Sequence, residues 1–186
     1  MAESDDATVE WSGLSELPVS VVVGAPSGEA RQDQRNWRIM GVVAGDRFAS
    51  RALERVQMRS GPDGDLFLWR GHRLRLSKGL AEDYALNLAD PVPVIYVVVQ
   101  WDPDRGLVPL ELTASLGEAQ NMDATDLRAV DESVRTTPMP AEVGRWLDAF
   151  TREHYVPRKR KKRGKRRSRA IYDAEVGDWA GDDGEQ

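Results

Sequence analysis

Few residues in this chain have the type and spacing to do chemistry, and most of those patterns exclude a reaction. There are two histidines, His72 and His154, and no cysteine. Thiol nucleophiles, persulfide carriers, disulfides and cysteine-ligated zinc or iron–sulfur sites are therefore ruled out. Neither histidine stands in an HxH or HExxH arrangement, so no transition-metal site is expected. No GxSxG elbow raises a serine out of a strand. The acid pairs Asp5-Asp6, Glu82-Asp83, Asp131-Glu132 and Asp182-Asp183 are neighbours in sequence. Neighbours in a strand face opposite ways, so adjacency alone does not make a catalytic dyad. The glycine-containing loop 24–29 puts Glu29 where a phosphate loop needs Lys followed by Ser or Thr, and it reads as a surface turn. No catalytic residue, metal or cofactor is expected, and the chain is not expected to be an enzyme.

Charge is the more informative property. Residues 157–170 carry ten basic side chains and no acid: Arg158, Lys159, Arg160, Lys161, Lys162, Arg163, Lys165, Arg166, Arg167 and Arg169. Residues 171–186 carry six acids and no base, with Tyr172 and Trp179 among them. The remaining body is acidic, with a net charge of −9. Such charge blocks stay solvated and serve as interaction tails. The arm admits three readings: pairing with nucleic-acid phosphates, pairing with an acidic protein surface or the chain's own acidic parts, or an idle solvated tail. An arm for nucleic acid usually accompanies a basic or base-stacking domain, and this body is acidic. Tyr172 and Trp179 in the acidic tip suit a short docking motif that orders on contact. No apolar anchor adjoins the arm and no apolar run is long enough to span a bilayer, so no membrane role is expected. The polar, acidic N-terminus does not read as a signal peptide. The expected location is cytoplasmic.

The elements that would position these groups follow from period and punctuation. The domains read as a disordered acidic N-terminus (1–16), a single domain (17–156), a polybasic arm (157–170) and an acidic aromatic tip (171–186). Strands are expected at Val19–Val23, Trp37–Ala44 and Glu54–Arg59, the last with Val56 and Met58 on one face. Gly61-Pro62-Asp63-Gly64 reads as a turn. Leu66–Arg70 and Arg73–Ser77 read as a hairpin turning at Gly71-His72. Tyr84–Leu88 reads as a short strand and Val94–Trp101 as a central one. Pro109 marks Leu107–Thr113 as an edge strand or a bulged one. Ser115 with Glu118 fits a helix capping box, and residues 123–136 are polar with no assigned element. Pro140 suits the first position of a helix to Tyr155. Val143, Trp146, Leu147, Phe150 and His154 form one stripe of that helix. Strands followed by helices indicate an α+β fold. The expected class is a mainly antiparallel β-sheet closed by a C-terminal amphipathic helix, with a disordered charged tail.

The body also resembles an uncharacterised bacterial family of unknown function over about residues 18–165. The pattern is a first strand ending VVVG and the Trp-led strand WRIMGVVAG. Tyr84 follows with Asn87-Leu88, then Pro91, Pro93 and Ile95-Tyr96-Val97-Val98. Thr113-Ala114-Ser115, Glu118-Ala119-Gln120, Pro138-Met139-Pro140, Phe150, His154-Tyr155-Val156 and a Lys/Arg-rich end complete it. The acidic tip is not part of the pattern. The resemblance implies encoding beside molybdenum-dependent formate dehydrogenases and their maturation factors. It thereby implies a non-catalytic accessory or assembly factor whose partner is a molybdoenzyme subunit or maturation factor. Guanylylation of the molybdenum cofactor does not fit, because no glycine-rich nucleotide loop is present. Within the pattern, Thr113, Ser115, Glu118 and Gln120 are candidate partner contacts, with capping as their structural reading. Arg158–Arg169, Tyr172 and Trp179 are the others. The alternative is a nucleic-acid-associated protein using the arm.

Overall fold

Alternation of apolar residues organises the first strand. In β1 (Glu16–Ala25), Leu17, Val19, Val21 and Val23 are all fully buried, as the two-residue period of a strand requires. The computed structural model describes residues 13–46, 49–123 and 134–157. Strand β1 is hydrogen-bonded on both sides, to β2 (Arg38–Ala44) and β4 (Asp65–Arg75), and β4 pairs in turn with β3 (Glu54–Arg59). A second sheet places β5 (Val94–Asp102) between β6 (Gly106–Thr113) and β7 (Val134–Pro138). All pairings are antiparallel, and among the described residues the strands form two sheets, ordered β2-β1-β4-β3 and β6-β5-β7. Their apolar faces share one core, in which Val21 and Trp69 of the first sheet join Ile95, Val97 and Leu107 of the second.

Among the described residues three α-helices pack with the sheets: α1 (Ala81–Leu88), α2 (Leu116–Asp123) and α3 (Ala141–His154). Helix α3 lays Val143, Trp146 and Leu147 into the core, and its Phe150 meets Tyr84 of α1 edge-on at 6.2 Å. The fold is α+β and mainly antiparallel, with the C-terminal amphipathic helix packed on the core. Pro140 stands just before α3 at the N-cap rather than at the first helical position. Leu14 and Ser15 are already tied down: Trp146 Nε1 donates to the Leu14 carbonyl at 2.9 Å, and Leu76 N–H to that of Ser15 at 2.8 Å. The attached chain thus begins before residue 17. A unit boundary falls between Val156 and Pro157. The arm from Arg158 and the acidic tip lie outside the described residues, as do residues 1–12.

The structure differs from these expectations at four places. Gly71-His72 is not a hairpin turn; β4 runs straight through it. Val19 faces His72 and Val21 faces Trp69, which leaves Arg70 and Gly71 opposite Ser20 alone. Gly71 takes φ +94°, so its left-handed backbone accommodates an extra residue in a bulge. A Cβ there would land on the Ala52 carbonyl. The true hairpin is at Gly61–Gly64, where Gly64 N–H bonds the Gly61 carbonyl. The short strand expected at Tyr84–Leu88 is helix α1. Ala81, Tyr84 and Leu88 repeat at three and four residues along its inner face, and Glu82 and Asp83 suit the positive N-terminal end. The unassigned stretch before Pro138 holds β7, a polar strand that pairs along β5 from Val94↔Pro138 to Val98↔Val134. Val56 and Met58 of β3 do not face the core; both are exposed on an edge strand.

Candidate functional site

The segment Thr113–Gln120 joins β6 to α2, and its polar groups are spent on that junction. Ser115 Oγ accepts from Glu118 N–H at 3.0 Å, the expected helix cap. Glu118 does not return its side chain to Ser115 N–H as a capping box would. It accepts from Thr113 Oγ1, and Thr113 Oγ1 accepts from Ser115 N–H at 3.0 Å. The hydroxyl of Thr113 thus relays the box. Ser115 Oγ donates to Asp83 in α1, which links the two helix N-termini. Asn87, one turn further along α1, donates to the carbonyls of Val94 and Ala114 and accepts from Val94 N–H, all within 3.0 Å. One amide therefore fixes α1 against the start of β5 and the end of β6.

A serine hydroxyl bonded to a carboxylate resembles an activated nucleophile. Here Thr113 and Ser115 are fully buried, so no substrate reaches Oγ. The arrangement holds the fold. Ser115→Ala should lower the unfolding free energy by about 1–2 kcal/mol, because Glu118 N–H and Asp83 both lose a partner. Chemical denaturation checks this, and an unchanged midpoint would show the network to be idle. Of the predicted contacts in this segment, only Gln120 is exposed, beside Leu116 on the outer face of α2.

The groups best arranged to bind something lie elsewhere. A cleft of about 220 Å³ is lined by Arg31, Arg55 and Arg105, with Trp37, Trp101 and Gly106 among the other lining residues. Each arginine comes from a different element: a 3-10 turn after β1, strand β3, and the β5–β6 loop. An aromatic cluster backs them. Trp37 stacks on Phe67 at 6.2 Å and meets Trp101 edge-on at 5.8 Å. The Arg31 guanidinium lies over both Trp37 and Phe67 at 5.5 Å, Arg55 over Phe67 at 4.6 Å, and Arg105 over Trp69 at 4.6 Å. Guanidinium planes favour such ring faces.

The cleft is held by its own hydrogen bonds. Trp37 Nε1 donates to the Arg31 carbonyl at 2.9 Å, and Arg55 Nη1 to the Arg105 carbonyl at 2.6 Å. The Asp102 carboxylate accepts from the backbone N–H groups of Asp104 and Arg105. Those two N–H donors hold its carboxyl below the usual range. Arg31 is paired with Asp65 at 2.5 Å. Among the described residues no carboxylate lies within ion-pair distance of Arg55 or Arg105. Burial lowers the Arg55 pKa, and the charges of Arg105 and Arg31 lower it further, with Asp102 opposing.

Sequence reading missed this cleft. The glycine-containing loop does not read as a phosphate loop, yet the turn that follows it supplies Arg31. Arg55 alternates along a strand as a surface residue would. Only the tertiary fold brings the three arginines onto one aromatic floor. The polybasic arm, Tyr172 and Trp179 lie outside the described residues. Neither the curated proteins nor the solved structures gave a match. A family model described as Protein of unknown function (DUF3305) matches residues 18–165. That span takes in both sheets, all three helices and the cleft, and the chain belongs to this family.

Proposed function

We propose that this protein is a non-catalytic cytoplasmic accessory factor that binds a partner protein. The observation that carries the reading is the chemistry of the cleft. Arg31, Arg55 and Arg105 offer guanidinium N–H donors and no acceptor. Trp37 and Trp101 line the cleft beside them. The hydroxyls of Thr113 and Ser115, which could transfer protons to Glu118 and Asp83, are instead buried at the β6–α2 junction. The family resemblance supplies the setting, a molybdenum-dependent formate dehydrogenase and its maturation factors. Gln120, the arm from Arg158 to Arg169, Tyr172 and Trp179 are further contacts on this reading.

Ten basic residues in the arm favour one competing reading, association with nucleic acid. Capture from native lysate separates the two, using the full chain and a truncation after Val156, each with and without nuclease. Recovery of a formate dehydrogenase subunit or maturation factor that persists after nuclease is the expected result. Recovery only of nuclease-sensitive material contradicts it.

A further inference from the structure

We propose that the Arg31–Arg55–Arg105 cleft is a docking site for an acidic segment of the partner protein, with one Asp or Glu carboxylate held between Arg55 and Arg105. This inference rests on the binding role proposed above and assigns it a place. Three observations lead to a carboxylate. First, Arg55 and Arg105 are adjacent, joined by the 2.6 Å bond from Arg55 Nη1 to the Arg105 carbonyl. Among the described residues neither has an acidic partner within 4.0 Å. Arg55 is half-buried and Arg105 exposed; the two like charges repel, and a bound anion removes that repulsion. Second, the guanidiniums of Arg55 and Arg105 lie over the rings of Phe67 and Trp69 at 4.6 Å, and a guanidinium carries five N–H donors in a planar fork. Carboxylates match that fork. Third, the surroundings limit the charge of the ligand. Asp102 and Asp104 stand in the same loop, and Asp65 already neutralises Arg31. These three arginines and three aspartates sum to zero formal charge, so what favours a ligand is the pair of guanidiniums with no acidic partner, Arg55 and Arg105; a dianion or a run of phosphates would meet the Asp104 carboxylate that also lines the cleft.

The same geometry disfavours a nucleobase. Single-stranded nucleic acid is held by open aromatic faces on which bases stack. Here Trp37, Phe67 and Trp69 are buried and arginines lie over them. Trp101 is half-buried at the cleft wall and offers an apolar contact for the residue beside the bound carboxylate.

The test must separate the cleft from the polybasic arm, which attracts any acidic probe. Site-resolved NMR of the full, isotope-labelled chain does so. The probe is a blocked hexapeptide of Asp and Glu with one Phe, set against its Asn/Gln counterpart, inorganic phosphate and a short RNA. The expected result is saturable movement of the Trp37 and Trp101 indole N–H signals with the acidic peptide and not with the amide peptide. Arg55→Gln and Arg105→Gln should each weaken binding at these signals about ten-fold or more. Arg73→Gln, in a surface ion pair with Glu16 on the first sheet, should leave it unchanged. An unmoved Trp146 indole signal certifies that a variant is folded. Arg55→Lys keeps the charge without the fork, and intermediate binding is expected. Movement confined to arm residues overturns the proposal, as does tighter cleft binding of phosphate or RNA than of the peptide. Partner capture that survives both Gln substitutions also overturns it while leaving the accessory role standing.

Discussion

Gly106→Ala should lower the unfolding free energy by about 3–4 kcal/mol, a large part of the margin of a domain this size. Two costs add. Gly106 takes φ +79° at the start of β6, a conformation that costs a residue with a Cβ about 1 kcal/mol or more. The new methyl would also fall inside the outer ring carbons of Trp37. Trp37 is buried, stacked on Phe67, butted against Trp101 and hydrogen-bonded to the Arg31 carbonyl. It has nowhere to swing, and forcing extra volume into such packing costs about 1–3 kcal/mol. Gly28 provides the control. It shares the positive φ and the cleft, yet a Cβ there meets nothing within 4 Å. Gly28→Ala should therefore cost about 1 kcal/mol, the backbone contribution alone. Urea unfolding followed by tryptophan fluorescence measures both. Equal losses for the two variants would mean that the Trp37 ring is not fixed.

Acidification should remove about 3 kcal/mol through His72 alone. This histidine is buried in β4 beyond the Gly71 bulge, and its Nε2 has no hydrogen-bond partner among the described residues. Burial lowers its pKa to about 4 from an ordinary 6.5, with a backbone hydrogen bond at Leu110 opposing. Above pH 6.5 the ring is neutral in the folded and unfolded chain, and the contribution to stability is complete. Between 6.5 and 4 the unfolded chain takes up a proton that the folded chain refuses. Stability then falls at about 1.4 kcal/mol per pH unit. Below 4 both states are protonated and the contribution is flat. Asp65 and Asp102, whose carboxyls are held low by their hydrogen-bond donors, lose their stabilising effect only at lower pH, below the ordinary carboxylate range. His72→Gln should therefore flatten the stability profile between pH 6.5 and 4.5 and leave the more acidic limb. Parallel profiles for the two proteins would show that His72 takes up its proton as readily in the folded chain as in the unfolded one.

His72 also illustrates what was legible in the sequence. A glycine followed by a polar residue between two alternating runs signals either a two-residue turn or a bulge. What decides is the partner strand: β1 is long enough to span both runs, from Glu16↔Arg75 to Ala25↔Asp65. No local rule carries that information. Strand β7 was missed for a related reason. Val134–Pro138 is polar and earns its place by hydrogen bonds to β5 rather than by apolar alternation. Elements whose own residues make the core were readable: the valines of β1, the apolar run of β5 and the stripe of α3. So was Pro109, which sits on an edge strand beside a bulge between Leu110 and its neighbours. Of the candidate contacts, Ser115 showed itself as a cap, and its bond to Asp83 in α1 did not. The cleft depends on residues 31, 37, 55, 67, 101 and 105, and only pairing of the strands in their registers assembles it.

The most direct test of the accessory role is sedimentation velocity of the full, nuclease-treated chain mixed with a purified molybdenum-dependent formate dehydrogenase or its maturation factor. The account predicts a discrete faster-sedimenting complex that persists at physiological salt. Free components with the enzyme system, together with a complex on RNA that dissolves steeply as salt rises, would contradict it.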